Sequence, residues 1–573
     1  MIAQGAVMSS PATPPADAAR AGRAGWAGRP AGPVEPAPGT LLDELRSMLA
    51  GQGLPVAVGP PAPDAARAAG TPGLPAALGW AASGLMWLTG PPGRAPLVPD
   101  GPVLGRAEAA ARLFTALSRQ LGRAVRPDVA TLLGGRAALL GLHRRGTWSA
   151  NGSCRLLPAA DGWIAVNLAR PHDVDAVDAL VGALGDQVGL VSADPCLHPV
   201  EQAWAALSAA AAARPAVDVV DLARLLAIPA AELDGPRRPT PVRTLPTPGS
   251  RPARPASSPS TWPRSGAAGG AAGVRTEPPL VIDLSAMWAG PLCAHLLGEI
   301  GMRVVKVESV HRPDGARRGD PDFYDWLHAG HESVALDFTT PGGRAMLRRL
   351  VERADVVIES SRPRALAQLG LDAAELVAAR SGRTWVSITG YGRAYTGVHS
   401  GPDPVAFGDD AAVAGGLVAW DRSGRGDTAN PVFCGDAIAD PLTGLFAALA
   451  AAASVLGGGG HLLDVAMREV AAWVAAPPAR GMGLPAGRVD PAGPAPWTVT
   501  GCDRDGWTVH QAGRMQRVLP PRPPRPPRMG TGAEEAGAEE AGAGEAGAGE
   551  AGRARAAALG ADTRAVVDAL RLT

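Results

Sequence analysis

The chain has 573 residues, of which 46% are hydrophobic, and its 54 acidic residues balance its 54 basic residues. This length allows roughly two to four domains, and the neutral balance argues against a general nucleic-acid-binding protein, which would be basic. Glycine (74 residues) and proline (57 residues) are abundant, which indicates that some segments lie outside packed cores.

The cysteine and histidine patterns argue against disulfide and metal sites. The five cysteines are far apart and form no CxxC pair, and the histidines form no HExxH or HxxxH pair. No signal peptide is recognised at the N-terminus. The longest apolar stretch, Leu445 to Leu456, is shorter than the roughly 20 residues that cross a bilayer. We therefore expect a cytoplasmic protein with reduced thiols, no metal and no membrane span.

Composition divides the chain into segments. Residues 1–40 are rich in Pro, Ala and Gly, which predicts disorder. Residues 235–276 are rich in Pro, Arg and Ser, which predicts an interdomain linker. Residues 519–555 combine a polyproline stretch with a Glu/Ala/Gly tract and are of low complexity. Residues 556–573 show helical spacing and predict a C-terminal helix that docks on the body.

A weak internal repeat links the two halves of the chain. LFTAL (Leu113–Leu117) corresponds to LFAAL (Leu445–Leu449), and ADGWIAVNL (Ala160–Leu168) corresponds to RDGWTVH (Arg504–His510). The order and approximate spacing of the copies agree. This pattern is either a degenerate duplication or a coincidence in an Ala/Gly-rich chain.

The segment from Leu280 to Glu308 predicts a strand–helix–strand unit. Apolar runs at Leu280–Leu284 and Val304–Val307 flank a helix-like segment, and the second run carries Lys306, the only lysine of the chain. Short connections of this kind predict a parallel pair with a right-handed crossover. The loop after the first strand presents backbone amides at a helix N-terminus, where phosphate and carboxylate groups bind readily.

Further predicted strands follow, again alternating with predicted helices. Ser333–Leu336, Val356–Glu359 and Thr384–Gly390 predict strands, and Pro341–Ala354 predicts a helix between the first two. Strands that alternate with helices predict a doubly wound, mainly parallel α/β sheet.

The ordered motifs of this region resemble family III CoA-transferases, the CaiB/BaiF family. They are DLSxxxAGPxCxxLLxxxGxxVVKVE, SVALDFTTPGGR, ADVVIESSRPRALAQLG and SITGYG, and good resemblance covers about Leu280 to Trp473. The resemblance implies a Rossmann-like doubly wound sheet with smaller α+β domains. It also implies an enzyme that moves CoA from an acyl-CoA to a carboxylic acid, with CoA as substrate and product, no other cofactor, and a homodimer.

The resemblance also suggests domain boundaries. Residues 277–480 would form the CoA-transferase large domain, and residues 481–518 a truncated small-domain segment. Residues 41–234 would form a degenerate, family-related half, because SANGSCRLLPAADGWIAVNL resembles the start of the family's small domain. We hypothesise that this half supplies the missing lid, either within the chain or in an interlocked dimer.

The family mechanism uses a nucleophilic aspartate placed four residues before a glycine. In DPLTGLFAAL, Asp440 lies four residues before Gly444 and matches this pattern. A carboxylate nucleophile divides a difficult exchange into easier covalent steps. The same residues also fit a helix N-cap followed by proline. Asp436 is a nearby competitor whose spacing to Gly444 does not match.

The resemblance assigns CoA binding to three loops. The predicted residues are Trp288, Ala289, Leu336, Asp337, Phe338, Thr339, Ser360, Ser361 and Arg362. Two positions depart from a common family pattern: Thr339 stands where lysine is frequent, and Gln368 where arginine is frequent. Arg362 and Arg364 could compensate, because guanidinium groups bind phosphate bidentately.

Two other functions stay open. A racemase of the same family needs a histidine in a Gly-His-Asp segment, and the comparable stretch Gly401–Gly416 has none. Asp409 and Asp410 in that stretch either start a helix or line the site. A catalytically inactive CoA-thioester-binding protein is the other alternative, because the second small domain is truncated.

Overall fold

A computed structural model describes residues 38–54, 56, 76–185, 198–236, 238–247, 249, 277–395, 404–423, 429–476, 497–525 and 554–572, and the backbone of a short strand at 26–27. The predictions of disorder for most of residues 1–40 and of low complexity for residues 526–553 lie outside these ranges.

The described helices number seventeen. They are α1 Pro38–Gly51, α2 Ala76–Ala82, α3 Val103–Gln120, α4 Val129–Leu139, α5 Pro171–Asp175, α6 Val177–Ala183, α7 Pro199–Ala212, α8 Ala216–Leu225, α9 Ala289–Glu299, α10 Pro321–His328, α11 Pro341–Arg353, α12 Pro363–Gln368, α13 Ala373–Ala379, α14 Gly408–Ala414, α15 Ala439–Leu456, α16 Met467–Ala475 and α17 Thr563–Ala569. Short 3₁₀ helices cover Met86–Leu88 and Gly315–Arg318.

The described strands number sixteen. They are β1 Trp26–Ala27, β2 Cys154–Pro158, β3 Trp163–Asn167, β4 Ala230–Glu232, β5 Arg243–Leu245, β6 Leu280–Asp283, β7 Arg303–Ser309, β8 Glu332–Leu336, β9 Val356–Glu359, β10 Thr384–Thr389, β11 Ala419–Asp421, β12 Asn430–Val432, β13 His461–Ala466, β14 Trp497–Cys502, β15 Gly506–Gln511 and β16 Arg514–Arg517.

The largest sheet has seven strands in the order β5-β13-β10-β9-β6-β7-β8. All its pairs are parallel except β13 with β5. From β8 to β13 the strands follow the 3-2-1-4-5-6 order of doubly wound dinucleotide-binding folds. The prediction of a doubly wound α/β sheet is therefore confirmed.

Helices cover both faces of this sheet. One face packs on α9 and α15 through Val281, Leu292 and Leu445, and the other on α11 and α13 through Ile282 and Leu347. Strands of such a sheet are buried on both sides, which explains why Leu280–Ile282 of β6 are apolar without alternation and why all four residues of the strand are buried.

Helix α15 is the central helix of the core. It is the one described helix that is long and apolar enough to cross a membrane, but 89% of that 18-residue window is buried within the protein. Its neighbours include α3 and α9, which supply apolar side chains to the same cluster. Its composition is thus explained by burial in the core.

The N-terminal half packs directly on the large domain. Helix α3 lies against α15, and Phe114 of LFTAL and Phe446 of LFAAL are both fully buried in one cluster. Each of these two helices has 18 residues. The three-stranded antiparallel sheets β2-β3-β4 and β14-β15-β16 contain the two later repeat segments, with β1 added beside β14. Similar elements thus occur in the same order in both copies.

Two segments that composition sets apart contribute to the fold. Within the predicted linker 235–276, β5 pairs with β13 at the edge of the large sheet, Arg243 opposite Asp464, and Val242 is fully buried. Within the low-complexity segment, Pro521 packs so closely on Gly84 that a Cβ there would lie 2.5 Å from the Pro521 Cα. The predicted C-terminal helix is observed as α17, which packs on β8.

Candidate active site

The carboxyl ends of the parallel strands form the site's edge. The strand order reverses between β6 and β9, and doubly wound sheets bind ligands in the crevice at such a point. The loops after these two strands touch, because the Ala286 backbone N–H donates to Ser360 Oγ at 3.1 Å. Next to them, the Met287 N–H donates to Asp314 Oδ1 at 3.0 Å. Asp314 lies in the loop after β7, so three loops form one rim.

The predicted CoA-binding residues all lie along this edge. His311 Nε2, after β7, is 3.2 Å from Asp337 Oδ1, after β8, which extends the rim to the edge strand. The side chains differ in exposure: Thr339, Ser360 and Arg362 are exposed, Asp337, Phe338 and Ser361 are half-buried, and Trp288, Ala289 and Leu336 are buried. The structure thus brings these residues to one side of the sheet, and their binding of CoA stays a prediction.

Asp440 lies in the first turn of α15, which packs on the beginning of α9. The approach is close at Gly444, where a Cβ would lie 2.7 Å from the Ala289 carbonyl oxygen and 2.9 Å from the Leu292 Cβ. A glycine is therefore needed one turn after Asp440 to let the two helices meet. This contact gives a physical reason for the four-residue spacing, because it holds Asp440 beside the loop that carries Trp288.

The Asp440 carboxylate does not cap its own helix. The cap position of α15 is Ile438, and Asp440 instead accepts a hydrogen bond from the Gly408 backbone N–H at the start of α14. Gly408 approaches closely, since a Cβ there would lie 2.4 Å from Asp440 Oδ2 and 2.2 Å from the Ala437 carbonyl oxygen. Ala437 itself has a positive φ of 42°, an unusual conformation for a residue with a side chain.

Three further carboxylates surround Asp440. Asp409 and Asp410 are buried in the first turn of α14, and Asp436 is buried four residues before Asp440. Asp409 accepts from the Ala437 N–H at 3.0 Å, and Asp410 caps its helix by accepting from the Phe407 N–H at 3.0 Å. The first alternative for this pair, that they start a helix, is observed, and their part in a site stays a prediction. Asp440 is half-buried, whereas the other three aspartates are buried.

Burial dominates the electrostatics of the group. It raises the pKa of Asp440 to about 8; Arg136 opposes this shift and the Asp409 and Asp410 carboxylates add to it. Burial likewise raises the pKa values of Asp409 and Asp410 to about 7 each. Burial also raises the pKa of Asp436, against the effect of Arg136. A group of this kind holds protons near neutral pH, which is typical of functional sites.

The N-terminal half contributes three polar side chains that the sequence did not identify as site residues. Arg136 Nη1 donates to both carboxylate oxygens of Asp436 at 2.7 Å. Asn151 Nδ2 donates to Asp409 Oδ2, and Asn167 Nδ2 to Asp410 Oδ1, each at 3.1 Å. Asn151 and Asn167 lie in the segment that resembles a family small domain, which is a usable signal, whereas Arg136 has no sequence signal.

Three histidines near the rim are held neutral. Burial lowers the pKa values of His295, His328 and His331, and the charge of Lys306 lowers those of His328 and His331 further. Within the described ranges, no three His, Cys, Asp or Glu side chains are arranged to hold a metal ion. The carboxylates around Asp440 accept hydrogen bonds from two side-chain amides and one guanidinium.

Comparisons with known proteins give this arrangement a context. Residues 279–514 match the sequence profile of CoA-transferase family III. This part of the chain is therefore similar to members of CoA-transferase family III. It is similar to succinate–glutarate CoA-transferase of Agrobacterium fabrum, with 33% identity over 34% of this chain and 52% of that protein. It is also similar to succinyl-CoA–D-citramalate CoA-transferase of Chloroflexus aurantiacus, with 32% identity over 33% of this chain and 48% of that protein.

One solved structure extends the comparison. A CaiB/BaiF family protein from Brucella suis shares 31% identity over 35% of this chain and 55% of that chain, with a TM-score of 0.30. The chain thus spans about half the length of the relatives that it matches. The similarity to the family covers the large domain and reaches β16, and the N-terminal half lies outside the match.

The raised pKa of Asp440 predicts that the protein loses stability as pH rises. Its folded-state pKa of about 8 exceeds the ordinary value of 3.8, so the folded protein keeps a proton that the unfolded chain releases between those values. Stability is therefore lost as pH rises through this window. Asp440→Asn removes this loss and is expected to raise the free energy of unfolding at pH 8 by up to about 5 kcal/mol, at about 1.4 kcal/mol for each pH unit of the window, and by less at pH 5.

Urea unfolding midpoints of both proteins between pH 5 and 8 measure the effect. Asp178→Asn, at an exposed position on α6, serves as the matched control and is expected to follow the wild-type pH dependence. Parallel curves for wild type and Asp440→Asn would contradict the assignment of a retained proton to Asp440.

Proposed function

We propose that this protein is a CoA-transferase that moves CoA from an acyl-CoA thioester to a carboxylic acid, with Asp440 as covalent nucleophile. One observation carries the proposal: among four clustered aspartates, Asp440 is half-buried whereas Asp409, Asp410 and Asp436 are buried, and its helix α15 meets the start of α9 at Gly444 and Ala289. The match of residues 279–514 to CoA-transferase family III supports the reaction class.

The chemistry proceeds by exchange at the Asp440 carboxyl group. Its carboxylate attacks the thioester carbonyl carbon, the C–S bond breaks, and CoA leaves as thiolate with an acyl–aspartyl anhydride formed. The thiolate attacks the aspartyl carbonyl and releases the first acid, which leaves an aspartyl–CoA thioester. The acceptor carboxylate then attacks the aspartyl carbonyl carbon, the aspartyl C–S bond breaks, and CoA leaves again as thiolate with a second anhydride formed. This thiolate attacks the acceptor's carbonyl carbon, which gives the acceptor's CoA thioester and releases the Asp440 carboxylate. Atoms balance without an external redox partner or water.

The surroundings of Asp440 suit this exchange. The Gly408 N–H points at the carboxyl oxygen and the position in the first turn of α15 favours negative charge. A carboxylate with a raised pKa is more basic than an ordinary one when ionised, which favours attack. Burial of the other three carboxylates limits water near the anhydride, which would otherwise hydrolyse.

Substrate classes follow by analogy with the relatives. Succinate, glutarate and citramalate appear in the names of the two similar transferases. We therefore propose short dicarboxylic acids as first acceptors to test and succinyl-CoA as first donor. A cytoplasmic location and a homodimer stay predictions from the sequence and the family resemblance.

Mass spectrometry of the intact and digested protein tests the proposal. The protein is incubated with succinyl-CoA, acetyl-CoA and longer acyl-CoAs, then treated with hydroxylamine. A CoA adduct or hydroxamate on the peptide that contains Asp440 is the expected result. CoA binding with no adduct for any donor would overturn the transferase assignment and favour a CoA-thioester-binding protein. Deuterium incorporation at the α-carbon of a branched acyl-CoA would favour a racemase.

Gly408→Ala is expected to slow adduct formation by roughly a hundredfold. The added methyl group would collide with Asp440 Oδ2 and the Ala437 carbonyl oxygen and displace the nucleophile, and displacement by about 1 Å can cost this much. Gly162→Ala, where an added Cβ meets no atom within 4 Å, is the control and is expected to keep the wild-type rate. Rates from quenched time courses decide the comparison, and an unchanged Gly408→Ala rate would contradict the geometry.

A further inference from the structure

The N-terminal half and the large domain meet at the four clustered carboxylates. Three donors from the N-terminal half each bind a different one of these carboxylates. Arg136, Asn151 and Asn167 are separated along the chain, yet each donates to a different carboxylate of the large domain. These donors belong to α4, the loop before β2, and β3. Because one packing arrangement of the two parts allows all three hydrogen bonds, the N-terminal half is an integral part of this site.

Arg136 holds the central place among these donors. Its guanidinium donates to both carboxylate oxygens of Asp436. The Arg136 side chain is about one-fifth exposed, whereas that of Asp436 is fully buried. Its Cζ lies 5.6 Å from the ring centroid of Trp288 and 5.8 Å from that of Phe323. Cation–π contacts with these two rings hold the Arg136 guanidinium between the loop after β6 and the start of α15.

Arg136 also influences the ionisation of Asp440 through its charge, although its hydrogen bonds go to Asp436. Four acidic groups converge here: Asp409 and Asp410 from α14, Asp436 from the preceding loop, and Asp440 from α15. The positive charge of Arg136 favours the ionised Asp440, and the negative charges of Asp409 and Asp410 oppose it. The nucleophile therefore depends on a cation from the other half of the chain.

We propose that the N-terminal half completes the active site within the same chain and that Arg136 is a positioning residue whose positive charge increases the ionised fraction of Asp440 that is available for attack. This inference rests on the proposed function of Asp440 as nucleophile. It assigns to residues 41–234, which lie outside the family match, a direct electrostatic role in the reaction. A cation near a carboxylate within about 4–6 Å changes its protonation equilibrium by roughly tenfold or more.

The test separates the action of Arg136 on Asp440 from its pairing with Asp436. We compare wild type, Arg136→Gln, Arg136→Lys, Asp436→Asn and the double variant Arg136→Gln/Asp436→Asn. Infrared titration follows the protonated carboxyl band, and Asp440 is assigned by subtracting the spectra of each protein with Asp440→Asn added. Thermal midpoints and the pH dependence of adduct formation with succinyl-CoA are recorded in parallel.

Arg136→Gln is expected to raise the Asp440 titration midpoint by about one pH unit or more and to slow adduct formation at pH 7 by about tenfold. The double variant is expected to regain thermal stability, because no unpaired buried charge remains, but to keep the raised midpoint. Arg136→Lys, which retains the charge, is expected to titrate near the wild type. Arg155→Gln removes a guanidinium that pairs with Glu201 in the same half and is expected to leave the midpoint unchanged.

The outcomes decide separately on the two proposals. An unchanged midpoint in Arg136→Gln, or a midpoint restored together with stability in the double variant, would overturn the role of Arg136. The infrared midpoint needs no turnover. A raised midpoint in Arg136→Gln with no wild-type adduct would therefore support the charge coupling between the halves while refuting Asp440 as a nucleophile.

Discussion

Asp440→Asn is expected to abolish formation of the covalent adduct and to lower CoA transfer by roughly a thousandfold or more. The amide keeps the size and most contacts of the carboxylate, including acceptance of the Gly408 N–H, but it cannot form an anhydride. The measurement is transfer of labelled CoA from succinyl-CoA to glutarate, with adduct mass as the second readout.

Stability distinguishes this loss from unfolding. Asp440→Asn is expected to be at least as stable as the wild type at pH 8, because it no longer carries a carboxyl group that resists ionisation. An Asp440→Asn protein that has lost CoA transfer but has a raised urea midpoint would therefore meet both the activity and the stability predictions. An adduct that persists in Asp440→Asn and maps to Asp436 would show that the competitor is the nucleophile, despite its burial and its pairing with Arg136.

Glutamate at position 440 gives a further control of geometry. Asp440→Glu keeps an ionisable carboxyl group but extends it by one methylene toward the crevice. We expect titration to persist while adduct formation falls strongly, because the carboxyl group leaves the Gly408 N–H. A rate equal to that of the wild type would show that positioning by Gly408 contributes little.

The parts of the large sheet with strong local patterns could be predicted from the sequence. The apolar runs LVI and VVI correspond to the first three residues of β6 and β9, because strands buried on both faces are mainly apolar. Strand β5 was missed, since its three residues, Arg-Thr-Leu, carry no pattern and pair only at the sheet edge. Strand β13 follows four consecutive glycines, and its place beside β10 depends on tertiary pairing.

The candidate site was predictable where chemistry and packing share a local spacing. Asp440 and Gly444 are one helical turn apart, and the structure explains that spacing by the contact of Gly444 with Ala289. The contact of Arg136 with Asp436 joins positions 300 residues apart. No periodicity or short motif encodes such a contact, so an arginine in the sequence GGRAALLG reads like any other helix residue.

Lys306→Met is expected to destabilise the fold by about 3–5 kcal/mol, the usual cost of removing one partner from a buried ion pair. Lys306 is 1% exposed, and its Nζ lies 2.8 Å from the Ser285 carbonyl oxygen, 3.1 Å from Asp314 Oδ2 and 3.5 Å from Asp283 Oδ2. Burial opposes its charge, but the neighbouring carboxylates outweigh burial and raise its pKa. These contacts join the loops after β6 and β7, so their loss would also loosen the rim of the site.

The single lysine in a chain otherwise based on arginine follows from the shape of this cavity. A compact ammonium group can contact oxygens from three directions, whereas the larger planar guanidinium of Lys306→Arg would overpack the site at a cost of about 1–3 kcal/mol. Urea and thermal midpoints of both variants measure these costs, with Arg564→Met, at a 97% exposed side chain, as a control expected to change little. Burial raises the pKa of Asp283 and Lys306 opposes this shift, so without Lys306 Asp283 would hold a proton in the folded state and the deficit of Lys306→Met should shrink as pH falls toward 5. A deficit independent of pH would show that the ammonium group acts by packing and not by its charge.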